Sequence, residues 1–480
     1  MSPRKASKPI LDAARADRVE RFFERHLRHM KGRWAGQPFT LEDWQKEEII
    51  RPIFGTVDAA TGKRWYREAL IGLARKQGKS EIAAGIALYM LVADGEFGAE
   101  VYSLAGDRKQ ASLVFRTAAE MVKASPLLRS ACKVYRSVIE VGETGAIYRA
   151  LSADADLQHG LNPSCAIIDE YHIHRNSEQY EAMRTGTAAR DQSLIVTITT
   201  AGEDRRGACW DLYQRAQSGT DPRLYHYWRS VPDGTALSDL KAFKDQANPA
   251  SWVTLDFLKD QARSLPEPVF RRLHGNQWWS GATEGWISSE TWDACAGVPE
   301  IDPSLPACIG IDAASKRDTT AVALVQRNEA GQFHCRVWHF AADEEGGYLD
   351  YGAVEDLVRE LAATYDIRRV AADPFQMVRS MQMLANEGIP TEVFPQTDTR
   401  MVPASTLIYD AIMEGRLVHD GSAELSEQVL AAKIIETARG WRLTKKRSDR
   451  PIDAAIALTI AIQLAEFEAD TGGAPRVTII

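Results

Sequence analysis

Leu73-Ala-Arg-Lys-Gln-Gly78-Lys79-Ser80 stands between an apolar run and a helix-forming run that extends from Glu81 to Leu91. A strand, then Gly-Lys-Ser, then a helix is the context in which backbone N–H groups and a helix N-terminus hold phosphate groups. Lys79 would then reach the β and γ oxygens, and the Ser80 hydroxyl would hold Mg²⁺. The full pattern has glycine six residues before the lysine, where this chain has Leu73. An ordinary strand-to-helix turn with a solvated lysine is therefore the alternative interpretation.

A pair of acids follows the loop by about 90 residues, at the end of the apolar run Ser164-Cys-Ala-Ile-Ile-Asp169-Glu170. Asp169 at a strand end can join a Mg²⁺ shell, and Glu170 can orient and activate an attacking water. Another apolar run ends in Thr199 and Thr200, whose hydroxyls either sense the γ-phosphate or simply cap the strand. The alternation of strands and helices predicts a P-loop NTPase, an α/β fold with a parallel sheet covered by helices on both faces.

Composition limits the class of protein more than it identifies it. The 480 residues carry a net charge of -8, with 45% hydrophobic and 26% charged residues, as in ordinary soluble chains of two or three domains. Any DNA binding must use local basic patches, because the net charge is negative. The six cysteines lack metal-ligand spacing, which predicts reduced core thiols. No apolar run is long enough for a membrane span, and the N-terminus has no apolar signal core.

The first 45 residues contain two weaker signals. Residues 1–34 are rich in Arg and Lys, and Arg18 to Lys31 is patterned as an amphipathic helix, which favours a packing arm over a DNA-contacting arm. Thr40 has the position of a helix N-cap before Asp43. Gln45 would lie early on that helix, either as a reader of an adenine edge or as a plain surface residue.

Acids also end elements in the second half of the chain. A β-meander is predicted from Ala307 to Phe340, with Asp312 at the end of its first strand. Asp373 ends a later strand, and Asp453 lies in the first turn of a helix. A ribonuclease-H-like sheet brings acids in this order to one site, where two Mg²⁺ or Mn²⁺ ions clamp a phosphodiester. Each acid alone favours a turn or a cap, but the set favours a nuclease. The basic run Lys445-Lys-Arg447 and Arg450, next to these acids, suits a DNA backbone, and a solvated turn is the alternative interpretation.

These patterns predict the following domains: an N-terminal basic helical arm (1–34), a P-loop ATPase domain with a C-terminal helical lid (35–285), a connector (286–306), a ribonuclease-H-like nuclease domain (307–468) and a tail (469–480).

Together, the two halves resemble the large terminase subunit of tailed double-stranded-DNA bacteriophages, from about Phe39 to Ala465. The resemblance rests on an ordered series of short motifs: Trp44-Gln45, Arg75-Lys-Gln-Gly-Lys-Ser80, Asp107-Arg-Lys-Gln-Ala111, Gly160-Leu-Asn-Pro163, Ile167-Ile-Asp-Glu170, Thr199-Thr-Ala-Gly202, Asn248-Pro249, Asn276-Gln-Trp278, Gly310-Ile-Asp312, Ala372-Asp373-Pro374 and Ile452-Asp-Ala-Ala455. Many such proteins lack the first loop glycine, so Leu73 is no longer an objection.

The resemblance implies an ATP-driven DNA translocase that is also a metal-dependent DNA endonuclease cutting concatemeric DNA. It implies that Gln45 reads adenine, that Gly78, Lys79 and Ser80 bind phosphates and Mg²⁺, and that Asp169 helps to hold the metal. Glu170 would be the catalytic carboxylate, Thr199 and Thr200 the coupling motif, and Arg75 a sensor of the γ-phosphate in cis. Asp312, Asp373 and Asp453 would be the nuclease acids. Arg190 and Arg205 are candidates for an arginine finger in trans.

The implied partners are double-stranded DNA, the portal protein of the procapsid, the small terminase subunit and further copies of this chain. Those copies would form a ring, expected to be a pentamer on the portal, with a monomer in solution as an option. The expected location is the host cytoplasm, outside the mature virion and without a membrane. Two other hypotheses remain at this point: a helicase or translocase-type ATPase whose ribonuclease-H-like domain binds DNA without cutting it, and a non-enzymatic ring component that docks on the portal.

Overall fold

The chain forms two compact units, Met1–Gly281 and Ala282–Ile480. The computed structural model describes residues 8–105, 108–151, 160–174, 176–203, 205, 207–278, 285–313, 319–341, 350–437, 439–445, 448 and 450–471. Asp107 of the third motif, Lys446 and Arg447 of the basic run, and most of the predicted tail lie outside the described residues.

The first unit alternates strands with helices. Its strands are β1 (Pro9–Leu11), β2 (Thr56–Asp58), β3 (Glu68–Gly72), β4 (Glu100–Leu104), β5 (Cys132–Val134), β6 (Val138–Val141), β7 (Ala146–Leu151), β8 (Cys165–Asp169), β9 (Leu194–Thr199) and β10 (Leu224–Trp228). Its helices are α1 (Ala13–His26), α2 (Asp43–Gln45), α3 (Lys79–Val92), α4 (Arg108–Ala124), α5 (Pro126–Ala131), α6 (Glu178–Gly186), α7 (Ala208–Gln217), α8 (Leu240–Ala242), α9 (Leu255–Ser264) and α10 (Glu267–Gly275). Two π-helices, Lys46–Gly55 and Phe243–Ala247, follow α2 and α8.

One eight-stranded sheet in the order β10-β3-β9-β8-β4-β7-β6-β5 organises the first unit. The six strands from β10 to β7 are parallel, and β6 and β5 continue the sheet in antiparallel pairs. Neighbouring residues of each central strand enter different cores: Ile71 packs on one face with α1, α3 and α4, and Leu70 packs on the other with α6 and α7. The predicted P-loop fold with helices on both faces is confirmed.

The N-terminal part of this unit differs in detail from the sequence-based expectation. Helix α1 ends at His26 and buries Phe23 in the main core, so it packs as the favoured interpretation predicts. The sequence predicts Thr40 as the N-cap of α2, and this prediction is wrong. Glu42 takes that place in a capping box, because its side chain and that of Gln45 each accept a backbone N–H of the other.

The described part of the segment from 203 to 285 is only partly helical. Its strand β10 pairs with β3 at the edge of the main sheet, which the sequence patterns did not indicate. Residues 231–278, which we call the lid segment, contain a small hydrophobic core of their own: Val231, Phe243, Ala247, Ala250, Val253, Leu258 and Phe270.

The second unit contains the predicted meander. Its strands are β11 (Pro306–Asp312), β12 (Thr320–Arg327), β13 (Phe333–Phe340), β14 (Asp366–Ala372), β15 (Thr391–Val393), β16 (Leu417–Val418), β17 (Lys433–Thr437) and β18 (Gly440–Thr444). Its helices are α11 (Ser289–Asp293), α12 (Tyr351–Thr364), α13 (Pro374–Asn386), α14 (Asp398–Met413), α15 (Ala423–Ala431) and α16 (Asp453–Thr471). Within the predicted connector, Trp292 of α11 is fully buried and stacks on His419.

A six-stranded sheet in the order β15-β14-β11-β12-β13-β16 forms the centre of this unit. The pairs β11–β12 and β12–β13 are antiparallel, whereas β14 runs parallel to β11 and β15 runs parallel to β14. Because β11 and β14 are parallel neighbours, Asp312 ends its strand and Asp373 follows its own at the same edge of the sheet. The separate hairpin β17–β18 leads directly to Lys445.

Gly310 allows α16 to lie directly against β11. A Cβ at this position would stand 2.3 Å from the carbonyl oxygen of Ala457 and 2.7 Å from the backbone nitrogen of Ala461. Both contacts are with helix backbone, which cannot rotate away. Gly310→Ala should therefore destabilise the second unit by about 3 kcal/mol, the upper end of the usual cost of overpacking.

Thermal unfolding of the full chain measures this effect. Gly297→Ala is the matched control in the same unit, since its Cβ would approach only a methyl group of Val418, at 3.3 Å. Equal melting temperatures for the two variants would contradict the close packing described here.

Candidate active sites

Lys79 is the centre of the first site. It begins α3 directly after Gly78, whose φ of 77° lies in the left-handed region that glycine adopts without strain. The lysine is buried, and its ammonium donates hydrogen bonds to the carbonyl oxygens of Leu73 (3.1 Å) and Ala74 (3.2 Å) and to Thr200 Oγ1 (2.6 Å). The ammonium is thus held within the loop and joined to the end of β9.

The two predicted acids approach this ammonium from β8. Asp169 ends the strand in a buried position, and among the described residues its Oδ1 has no hydrogen-bond partner. Burial, and then the neighbouring charge of Glu170, raise the pKa of Asp169 to about 7. Glu170 has a φ of 47°, and its Oε1 lies 3.8 Å from Lys79 Nζ. Burial alone would raise the pKa of Glu170, but the positive charge of Lys79 and the close contact with His172 lower it, so the carboxylate stays ionised.

His172 is a site residue that the sequence reasoning missed. Its Nδ1 lies 3.3 Å from Glu170 Oε2 and 3.0 Å from Thr199 Oγ1, so it joins the catalytic candidate to the end of β9. Burial lowers the pKa of His172. The only signal in the sequence is a histidine two residues after the acidic pair, on a short 3₁₀ turn.

Gln77 and Asn248 attach the loop to the lid segment. Gln77 is fully buried; its Nε2 donates to Asn248 Oδ1 at 2.9 Å, and its Oε1 accepts the backbone N–H of Ala250 at 3.0 Å. The indole of Trp252 donates to the carbonyl oxygen of Lys76 at 2.7 Å. On the other side, Asn276 accepts the backbone N–H of Ala201 at 2.8 Å. Motif residues without an assigned role thus hold the loop and the end of β9.

The other nucleotide-site candidates lie around the same loop. Gln45 is buried next to the loop, since its Nε2 is 3.8 Å from the position that a Cβ on Gly78 would take. Its Oε1 accepts the backbone N–H of Glu42 at the N-terminus of α2. Arg75 is exposed, and Ser80 is the second residue of α3. Arg272, which no motif indicated, is buried and contributes a positive charge that acts on both Lys79 and His172.

The two arginine-finger candidates have different surroundings. Arg190 is largely buried, and its guanidinium contacts Glu96, Glu100 and the carbonyl oxygens of Gly98 and Asn162. This is the arrangement of a structural arginine. Arg205 is half-exposed, at 3.5 Å from Asp233.

The second unit also brings acids together, at the carboxyl ends of two central strands of its sheet. Asp312 and Asp453 are both buried, and the ammonium of Lys445 bonds to both carboxylates, at 2.7 Å from Asp312 Oδ2. Burial raises the pKa of Asp312 to about 7, although Lys445 opposes the shift. Burial alone would lower the pKa of Lys445, but Asp312 and Asp453 raise it, so the cation persists. Thr319 donates to the other oxygen of Asp453 at 2.7 Å.

Asp373 is connected to this pair through Gln396. Its two oxygens accept the backbone N–H groups of Phe375 (2.9 Å) and Gln396 (3.1 Å), while the amide of Gln396 donates to Asp312 Oδ1 at 2.8 Å. Among the described residues, no group of three or more His, Cys, Asp and Glu side chains is arranged so that it could hold a metal ion. The structure thus joins two of the predicted acids, Asp312 and Asp453, through Lys445 and places the third, Asp373, as the N-cap of α13.

Lys445 and Gln396 were not recognised as members of this site. Lys445 belongs to the basic run that we expected beside DNA, but its side chain is directed to the acids. Arg450 from the same stretch forms an exposed ion pair with Glu427. The sequence offers no signal for Gln396, and for Lys445 the only signal is its position a few residues before Asp453.

Comparison with known families decides what the two sites belong to. A family model described as "Terminase large subunit, ATPase domain" matches residues 43–218, and one described as "Terminase large subunit, endonuclease domain" matches residues 336–468. The two matches follow each other in the chain and together cover well over half of it. The chain belongs to the large terminase subunit family.

Individual relatives agree with this assignment. The terminase is 26% identical to the "Terminase, large subunit" of Enterobacteria phage HK97, over 96% of this chain and 97% of that protein. It is 25% identical to "Protein YmfN" of Escherichia coli (strain K12), over 63% of this chain and 77% of that protein. A solved large terminase from a thermophilic bacteriophage superimposes with a TM-score of 0.52 and 12% identity, over 87% of this chain and 96% of that one, and shows the same fold.

This terminase is therefore an ATPase and an endonuclease that acts in DNA packaging, and it uses a nucleotide and divalent metal. The hypothesis of an ATPase with a non-cleaving second domain is not supported, because the endonuclease model matches that part of the chain. No helix among the described residues is long and apolar enough to cross a membrane.

Proposed function

We propose that the site around Lys79 hydrolyses Mg²⁺-ATP. The single observation that carries this proposal is the cluster of Lys79, Thr200, Glu170 and His172 at the ends of β8 and β9, beside the N-terminus of α3. An ammonium, backbone N–H groups and a helix N-terminus together bind phosphate, and the uncompensated Oδ1 of Asp169 suits the water shell of a hard cation.

Each residue then has a distinct task in hydrolysis. Lys79 exchanges its loop carbonyls for phosphate oxygens and neutralises the charge that develops during transfer. Glu170, kept ionised by its neighbours, accepts the proton of the attacking water, and His172 fixes the orientation of that carboxylate. Ser80 and Asp169 would hold Mg²⁺, which would supply further charge neutralisation. Gln45 contacts the adenine, Arg75 senses the γ-phosphate, and Thr199 and Thr200 report its loss to the lid segment.

The second site cuts DNA with Mg²⁺ or Mn²⁺ held by Asp312 and Asp453. Both carboxylates are hard oxygen ligands, and a cation, the Lys445 ammonium, already bonds to both of them, which supports the fit. Asp373 would join these ligands by releasing its backbone partners. Asp312 and Asp453 would hold the metal, two ions in our proposal, and the metal would supply the positive charge that activates a water and stabilises the leaving oxygen of a phosphodiester.

The two activities serve one machine in this proposal. Copies of the chain form a ring, a pentamer, on the portal of a procapsid in the host cytoplasm, and the small terminase subunit delivers concatemeric double-stranded DNA to it. Arg205 reaches a neighbouring subunit as the arginine finger, because it is more exposed than Arg190.

Glu170→Gln tests the ATPase proposal most directly. The amide keeps the size of the side chain but cannot accept a proton, so ATP hydrolysis should fall by about 10²–10⁴-fold while nucleotide affinity is retained. Phosphate release and fluorescent-nucleotide binding measure the two quantities. With procapsids, linear DNA and Mg²⁺-ATP, only the wild-type chain should protect DNA from added nuclease.

Glu178→Gln is the matched control, because it removes the same charge at an exposed position of α6 in the same unit. Full hydrolysis by the Glu170→Gln chain would remove Glu170 from the mechanism. Hydrolysis without DNA protection by the wild type would leave the ATPase intact and contradict the proposed partners.

A further inference from the structure

The ammonium of Lys445 takes the place of a metal ion between two buried carboxylates. It forms ion pairs with Asp312 Oδ2 at 2.7 Å and with Asp453 Oδ1, and both acids are no more than 2% exposed. Two buried like charges repel each other strongly unless a cation lies between them. Lys445 supplies that cation from within the chain.

The backbone next to Lys445 is fixed by its hairpin. The N–H of Leu443 in β18 donates to the buried Ser405 Oγ of α14 at 3.0 Å, and Arg442 forms an ion pair with Asp398 at 2.8 Å. Trp441 packs edge-on against Tyr409 of the same helix. The hairpin therefore presents Lys445 to the acids from a rigid base, while its flexible side chain is free to exchange partners.

The remaining oxygens of the acids have other partners. Gln396 donates to Asp312 Oδ1, and Thr319 donates to Asp453 Oδ2. These two contacts can persist when the cation changes, since they involve the oxygens that Lys445 does not occupy. The Lys445 ammonium and a divalent ion, in contrast, require the same two oxygens and exclude each other.

We propose that Lys445 is a tethered counter-cation that holds Asp312 and Asp453 in place before metal arrives, competes with the metal for them, and thereby sets the metal concentration at which the endonuclease becomes active. The inference rests on the proposed nuclease function of the two acids. It makes Lys445 a positioning and regulatory residue rather than a metal ligand. DNA cutting then depends on the metal concentration, even though Asp312 and Asp453 are already held in place by Lys445.

Lys445→Met in the full chain tests the competition without any DNA. Melting temperature is measured in EDTA and then against increasing Mn²⁺. The variant should melt at a lower temperature than the wild type in EDTA, because its two acids lack a counter-charge. Its half-saturating Mn²⁺ concentration should be lower by about tenfold, because a charge-assisted competitor has been removed from the same oxygens.

Three further variants separate the outcomes. Lys445→Arg keeps the charge and should stay close to the wild type, and Arg416→Met is the control that removes a partly exposed charge from the same unit. Asp312→Asn should abolish the Mn²⁺ response; if the wild type shows no response that depends on Asp312, the proposed metal site fails. If that response exists but Lys445→Met leaves its midpoint unchanged, the competition is refuted. A Met variant that folds only with Mn²⁺ supports the proposal, and one that folds under neither condition contradicts it, since metal should replace the ammonium.

Discussion

Lys79→Ala should lower ATP hydrolysis by about 10³-fold, the scale of losing a preorganised charge at a phosphoryl-transfer site. The ammonium is buried and bonds to Thr200 and two loop carbonyls, and it lies 3.8 Å from Glu170. No neighbouring lysine is built into the same cluster of described residues. Removal therefore eliminates the phosphate contact and also the counter-charge that keeps Glu170 ionised. Phosphate release in the presence of DNA measures the effect.

Metal-dependent plasmid cutting by the same variant should stay within about twofold of the wild type, because the nuclease acids belong to the other compact unit of the chain and are not among the hydrogen-bond partners of Lys79. Lys259→Ala, an exposed lysine of α9 in the same unit, is the matched control and should hydrolyse ATP normally. The loss has to occur in a folded chain, which circular dichroism verifies. Normal hydrolysis by a folded Lys79→Ala chain would show that the loop around Gly78 is not the nucleotide site.

Asp312→Asn should abolish conversion of supercoiled plasmid in Mn²⁺, with a loss of about 10³-fold or more, while ATP hydrolysis persists. Asparagine has nearly the same shape and can still accept the bond from Gln396 at 2.8 Å, so the fold is retained. It lacks the negative charge that a divalent ion requires at a position with 1% exposure. Plasmid relaxation on agarose gels measures the rate.

Asp356→Asn is the control for this experiment, since it changes an exposed aspartate of α12 in the same unit. If Asp312→Asn cuts plasmid as fast as the wild type, the assignment of the nuclease site to these acids is wrong. Together, the Lys79 and Asp312 variants should show opposite losses, which a single shared active site would not produce.

The sequence predicts those features of the two sites that follow from a strand end. Asp169, Thr199 and Asp312 end buried strands, so apolar runs followed by polar residues were sufficient to find them. The hydrogen-bond partners of site residues lie far away in the chain. Gln396 is 84 residues from Asp312, and Asn248 is 171 residues from Gln77 of the phosphate-binding loop. Polar contacts of this kind depend on tertiary packing, and no local periodicity encodes them.

Local competition explains the remaining differences. Thr40 and Glu42 can both cap a helix, and the reciprocal bonds with Gln45 decide in favour of Glu42. The basic run at Lys445 has the composition of a solvated turn or a DNA contact, yet burial of Asp312 and Asp453 draws its first ammonium inward. Charge runs alone do not reveal which member faces the protein.

The amide pair of Gln77 and Asn248 has a mechanical consequence. Asn248 has no exposed surface; it grips the loop through Oδ1, and through Nδ2 it grips the backbone of Phe243 and His274. Buried hydrogen bonds therefore connect the phosphate-binding loop directly to the lid segment. We expect a small displacement of the loop to move the lid segment with it, without any change of fold.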